Sequence, residues 1–189
     1  MTADTSKITI HMVASLDGYI AKPDNSIAWM NSNDVYEQGI SLEDVDVEAF
    51  LRTIDCYVLG SRTYEHALAL GWPYGDKPVI VLTHRDLPAG RPTVKFYAGD
   101  LASLVNGQLK PDYKNIWMVG GAMLTRDFIR LHLADDIRLT IAPVILGGGT
   151  LFFDHIGQEL PLHLKEVSAY KNGMVELWYE IKKEQDILD

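Results

Sequence analysis

The stretch NIWMVGGAMLTRDFIRLHL (115–133) changes period part-way. Its first six residues form an apolar run too short for a helix, as expected of a strand buried on both faces. In the remainder, Leu124, Phe128 and Leu131 recur at spacings of four and three, which places them on one helical face. Val119, Gly120 and Gly121 fall at the junction. Side chains at the two glycines would keep a dinucleotide's pyrophosphate from the backbone. This is not the GxGxxG fingerprint, and taken alone the pair is better explained by close packing of strand on helix.

The same alternation of short strands and amphipathic stretches continues outward, the pattern of an α/β domain with a largely parallel sheet. Upstream, ITIHMVA (8–14), CYVLG (56–60), PVIVLT (78–83) and TVKFYA (93–98) read as strands. Helices are expected near Trp29 to Gln38, over Val45 to Thr53, from Ser61 to Leu70, and from Asp100, as N-cap, to Leu109. In the second of these, Val47, Phe50, Leu51 and Ile54 would bury one face. Downstream, RLTIAPVIL (138–146), PLHLKEVSAYK (161–171) and MVELWYEIK (174–182) are strand-like. Asn172-Gly173 between the last two is a strong hairpin signal, so an antiparallel hairpin closes the sheet.

Two further junctions resemble the one at Gly120. At VLGSRTYE (58–65), Gly60 precedes a helix whose first turn carries Ser61, Arg62 and Thr63. Free N–H groups and a partial positive charge at such a terminus suit a phosphate, although a plain glycine turn with Ser61 as N-cap reads as well. At VLTHRD (81–86), Thr83, His84 and Arg85 follow a strand end and offer a hydroxyl, an imidazole and a guanidinium. Ligands of open α/β sheets bind at the carboxyl ends of strands, so three such ends together suggest a nucleotide with several phosphates.

The 189 residues, 47% hydrophobic, suit a single domain spanning residues 1–189. No run of about 18 uncharged apolar residues occurs, and the N-terminal residues lack an apolar signal stretch, so a soluble, cytoplasmic protein is expected, with no membrane partner. The net charge of −9 and the lack of a basic stripe argue against nucleic acid as a partner. Cys56 is the sole cysteine, in an apolar run where it reads as a small hydrophobe. The six histidines show no metal-binding spacing, and no metal is expected.

SLDGYIA (15–21), LGSRTYE, VLTH, WMVGGAML and APVILGGG (142–149) occur in an order and spacing that resemble the dihydrofolate-reductase-like superfamily over nearly the whole chain. The chain looks most like the branch holding the reductase domain of the riboflavin-biosynthesis deaminase/reductase. The resemblance implies a mostly parallel sheet flanked by helices, NADPH as cofactor, and a homodimer. It implies that Gly60, Ser61, Arg62 and Thr63 touch the pyrophosphate and adenosine phosphate, and that Thr83, His84 and Arg85 hold the 2′-phosphate end. Val119, Gly120, Gly121, Ala122 and Leu124 would line the pyrophosphate path, with a cis peptide joining the glycines, and Ala14 and Ile20 would flank the nicotinamide. The family often has arginine directly after the glycine of LG-R-TYE; here that place is Ser61.

Hydride transfer to a C=N or C=O bond also needs a proton on the heteroatom. True dihydrofolate reductases place a carboxylate early in the helix before the second strand, and in the corresponding stretch here Asp44, Asp46 and Glu48 compete. Asp46, four residues before Phe50, matches best, and solvated carboxylates at a helix start are an equal reading. Asp17 either borders the active site or belongs to an ordinary Asp-Gly turn. Trp29, Tyr64, Trp72 and Tyr74 could wall a substrate pocket, or be core. The resulting expectation is an NADPH-dependent reductase of a small heterocyclic or carbonyl compound, similar to 5-amino-6-(5-phosphoribosylamino)uracil reductase. A dihydrofolate or pteridine reductase and a non-catalytic nucleotide-binding protein are the alternatives.

Overall fold

A computed structural model of the protein describes residues 6–44 and 47–183. Strands β1 (Lys7–Ser15), β3 (Cys56–Gly60), β4 (Val79–Leu82), β5 (Val94–Tyr97), β6 (Asn115–Gly120), β7 (Asp136–Ala142), β9 (Leu162–Ala169) and β10 (Val175–Ile181) form one sheet in the order β5-β4-β3-β6-β1-β7-β10-β9. The pairs from β5 to β7 are parallel, whereas β7-β10 and β10-β9 are antiparallel. The expected C-terminal hairpin is therefore present, turning at Asn172-Gly173. A small ribbon pairs β2 (Tyr19–Ala21) with β8 (Thr150–Leu151).

Side chains alternate across a strand, and both faces of this sheet are covered. One face carries Ile8, Ile10, Cys56, Val58, Ile116 and Met118 against Leu104, Val105, Leu109, Leu124, Phe128 and Ile129. The other carries Tyr57, Leu59, Val79 and Val81 against Tyr64, Ala67 and Trp72. Two-sided burial is what makes CYVLG continuously apolar. Burying each large aliphatic side chain contributes about 1.5–3 kcal/mol. Cys56 is fully buried, and burial pushes its thiol up to about 12, so it packs as a hydrophobe.

The helices are α1 (Val47–Thr53), α2 (Ser61–Ala69), α3 (Leu101–Leu104), which runs on through a π-helical turn (Val105–Leu109) into α4 (Lys110–Asp112), and α5 (Ala122–Arg130). Asp100 caps α3 as expected, its carboxylate accepting from the Ser103 N–H at 2.7 Å. On α5 the buried face is Leu124, Thr125, Phe128 and Ile129, and Leu131 is exposed beyond the helix end. On α1 Val47 is exposed, and Ile54 is buried only after the helix has ended.

The expected helix over Trp29 to Gln38 is absent. A single 3-10 turn (Ala28–Met30) gives way to a chain segment pinned to the distant hairpin. The Tyr36 N–H donates to the Lys171 carbonyl at 2.7 Å, Ile40 N–H to Ala169 at 2.8 Å, and Ser32 Oγ to Asn172 at 2.6 Å. With its backbone paired elsewhere and Ser32 also accepting from Asp34 N–H, the segment has no need of helical bonds.

Candidate functional site

Strands β4, β3 and β6 are neighbours, so the loops at Thr83, Gly60 and Gly120 emerge side by side. A Cβ placed on Gly60 would lie 3.6 Å from the Gly120 carbonyl oxygen and 3.8 Å from the Gly121 nitrogen, and one on Gly121 would lie 3.7 Å from Thr63 Oγ1. The two glycine turns thus touch. Gly60 and Gly121 are the N-caps of α2 and α5, and neither helix start receives a side-chain cap. Two helix starts are therefore brought together with no side chain on the glycine that caps either one. The peptide between Gly120 and Gly121 is cis, and Gly120 has φ +113°, where a Cβ would collide with Met12.

Around these turns, Ser61 and Thr63 are half-buried and Arg62 is exposed on the first turn of α2. Thr83 Oγ1 accepts from the Arg85 N–H at 2.9 Å, and His84 is exposed. The Arg85 guanidinium does not stand free: Nη1 and Nη2 donate to the two carboxylate oxygens of Glu65 at 2.9 and 2.7 Å. Val119 and Ala122 are half-buried at the junction. The Leu124 side chain turns into the core, as do Ala14 at the end of β1 and Ile20 on β2.

Asp17 holds two loops together. Its carboxylate accepts from Ser15 Oγ at 2.6 Å, Leu146 N–H at 3.0 Å and Gly147 N–H at 2.7 Å. The Ser15 hydrogen bond is the largest influence and, joined by the two amides, holds its acidity at about 2 against burial, which opposes more strongly than either amide alone. An ionised, triply engaged carboxylate is a clamp and has no proton to give near neutral pH. Of the two readings of Asp17, this geometry favours the structural turn. Asp46 lies outside the described residues.

Of the four aromatics, Tyr64, Trp72 and Tyr74 pack with the core. Tyr64 and Trp72 are core residues meeting edge-on at 6.0 Å, with the Tyr64 hydroxyl donating to the Pro88 carbonyl; Tyr74 meets Trp72 edge-on and lies tilted against Tyr57. Trp29 is half-buried and donates to its own Ser26 carbonyl.

Sequence reasoning missed a second constellation on the sheet beneath α1. His11 stacks on Trp117 at 4.6 Å and meets the Phe50 ring edge-on at 5.8 Å. Its Nε2 lies 3.5 Å from Glu176, which also receives Arg138 at 2.7 Å, the Tyr170 hydroxyl at 3.2 Å and Thr140 Oγ1 at 3.3 Å. Burial alone would raise the Glu176 carboxyl; the His11 hydrogen bond and the Arg138 charge outweigh it and hold the group at about 2. Arg138 lies between the Phe50 and Trp178 rings, and its Nε and the Nδ1 of His11 are buried without a hydrogen-bond partner. The available signal was weak, since β1, β7 and β10 carry other polar residues too, among them Thr9, Asp136 and Glu180. Among the described residues, no group of three or more His, Cys, Asp or Glu could hold a metal ion. No helix among them is long and apolar enough to cross a membrane.

Residues 6–176 match the sequence profile of the RibD C-terminal domain. The chain belongs to the RibD C-terminal domain family. Within curated sequences this RibD C-terminal domain is 34% identical over 177 residues to the uncharacterized protein YwjB of Bacillus subtilis, covering 92% of this chain and 97% of the relative. It is 26% identical over 185 residues to YyaP of the same organism, covering 92% and 94%. Among solved structures it resembles a putative riboflavin biosynthesis protein from Shewanella sp. PV-4 (TM-score 0.79, 23% identity, 94% of this chain and 99% of that one). It also resembles RibD of Acinetobacter baumannii (TM-score 0.68, 16% identity), where it matches 97% of this chain and 60% of that one. These structural likenesses establish the dihydrofolate-reductase-like fold of the domain.

Proposed function

We propose that this RibD C-terminal domain is an NADPH-dependent reductase of a small heterocyclic or carbonyl compound. The observation that carries the proposal is the pair of uncapped helix starts at Gly60 and Gly121, whose glycine turns are in contact. That pair fits a pyrophosphate: the N–H groups of residues 61–63 and 122–124 would bind it, with Thr63 beside both turns. Thr83, His84 and Arg85 would receive the 2′-phosphate, and Ala14 and Ile20 would border the nicotinamide. When bound, NADPH supplies a hydride. We assign the accompanying proton to Asp46, before α1, and to Asp17 the task of fixing the loops that flank the reacting end. The RibD reductase reaction, on a phosphoribosylamino-pyrimidine, defines the reaction class. A homodimer is also proposed, formed through the apolar surface of Ile145, Leu151 and Phe153. Sedimentation of a single monomeric species at micromolar concentration would contradict it.

Thermal unfolding with and without NADPH tests the reading. At a hundredfold excess over Kd, a ligand bound only to the native state adds about 2.7 kcal/mol, an upward shift of roughly 5–10 °C for a chain of this size. The variant Gly60→Ala should fold normally, because the added Cβ meets only ordinary contact distances. It should lose most of the shift, since that methyl occupies the space a phosphate needs. No shift with either NADPH or NADH at millimolar concentration overturns the proposal.

A further inference from the structure

The Glu65–Arg85 pair joins α2, which starts at the Gly60 turn, to the loop after β4. Glu65 is on the second turn of α2, three residues after Arg62, and Arg85 leaves the end of β4 with its backbone fixed by Thr83. Both partners are about half exposed, with side-chain exposures of 44% and 54%. The pairing is end-on: each terminal nitrogen of the guanidinium gives one N–H to one carboxylate oxygen. A phosphate seeks the same two-pronged end of an arginine. A ribose that lacks the phosphate makes no such demand, and its free 2′-hydroxyl is a good donor to a carboxylate.

We infer that Glu65 is an internal competitor for Arg85 and thereby sets how strongly the protein prefers the 2′-phosphorylated dinucleotide. This rests on the nucleotide site proposed above. The 2′-phosphate must displace Glu65 from Arg85 and then lie beside its negative charge, whereas a dinucleotide without that phosphate leaves the pair intact. Glu65 therefore lowers selectivity, and removing its charge raises it.

The test uses the full chain and two probes that share every group but one phosphate position, adenosine 2′,5′-bisphosphate and adenosine 5′-monophosphate, with affinities measured by calorimetry. Glu65→Gln should tighten the bisphosphate about three- to fivefold, the size expected for release of an exposed ion pair, and change the monophosphate by less than about twofold. In an Arg85→Gln background the same substitution should leave the bisphosphate affinity unchanged within about twofold, because the effect passes through Arg85. Weaker bisphosphate binding in Glu65→Gln, equal tightening of both probes, or an equal gain without Arg85 overturns the inference. If the wild-type chain binds neither probe nor NADPH, the nucleotide-site assignment itself fails, and the inference with it.

Discussion

At the scale of single residues, the least expected feature is a buried carboxylate that stays ionised. Glu176 faces Arg138 at 2.7 Å inside the sheet, where each would be costly alone. Glu176→Gln leaves the Arg138 charge without its counter-ion between Phe50 and Trp178. We expect a loss of about 3 kcal/mol in urea unfolding. Replacing both, as Arg138→Met with Glu176→Met, should recover much of that loss, because neither charge then remains to be desolvated. Equal destabilisation by the double and single variants would mean that the pair is not what makes this region costly to alter.

Elements were legible where their reasons are local. Asp100 followed by LASLV announces a capped helix start, and the structure places the cap and the helix there. Asp100→Ala removes the acceptor for the Ser103 N–H and should lower Tm by about 3 °C, read by circular dichroism, while Asp100→Asn should lose much less. Equal losses for the two would assign the effect to charge and not to the cap. The segment from Trp29 to Gln38 was misread for the opposite reason: its hydrogen-bond partners, Ala169, Lys171 and Asn172, are more than a hundred residues away, and no local pattern encodes them. The same holds for Leu131, periodic with Leu124 and Phe128 yet exposed, since α5 stops at Arg130 and Ile129 turns inward instead.

For the whole molecule, the parallel half and its glycine junctions could be read from the chain because each strand, turn and helix start is contiguous in sequence. The His11–Arg138–Glu176 cluster could not, since it exists only once β10 has inserted beside β7 and brought residues from both ends of the chain together. Two carboxylates now fasten that architecture: Glu176 joins β1, β7 and β10, and Asp17 ties the β1–β2 turn to the Leu146–Gly147 loop. Both are held near 2 in the folded state, below the ordinary values of 4.5 and 3.8. Each therefore adds its full stability above those ordinary values and loses it as pH falls toward 2, because the unfolded chain binds protons that the folded one refuses. Urea midpoints measured from pH 6 to pH 2.5 should fall most steeply below about pH 4.5. In Glu176→Gln the proton uptake on unfolding at pH 3 should drop by close to one, and in Asp17→Asn the remaining slope should flatten again. A wild-type slope in both variants would mean that carboxylates other than these two govern the acid limit of the fold.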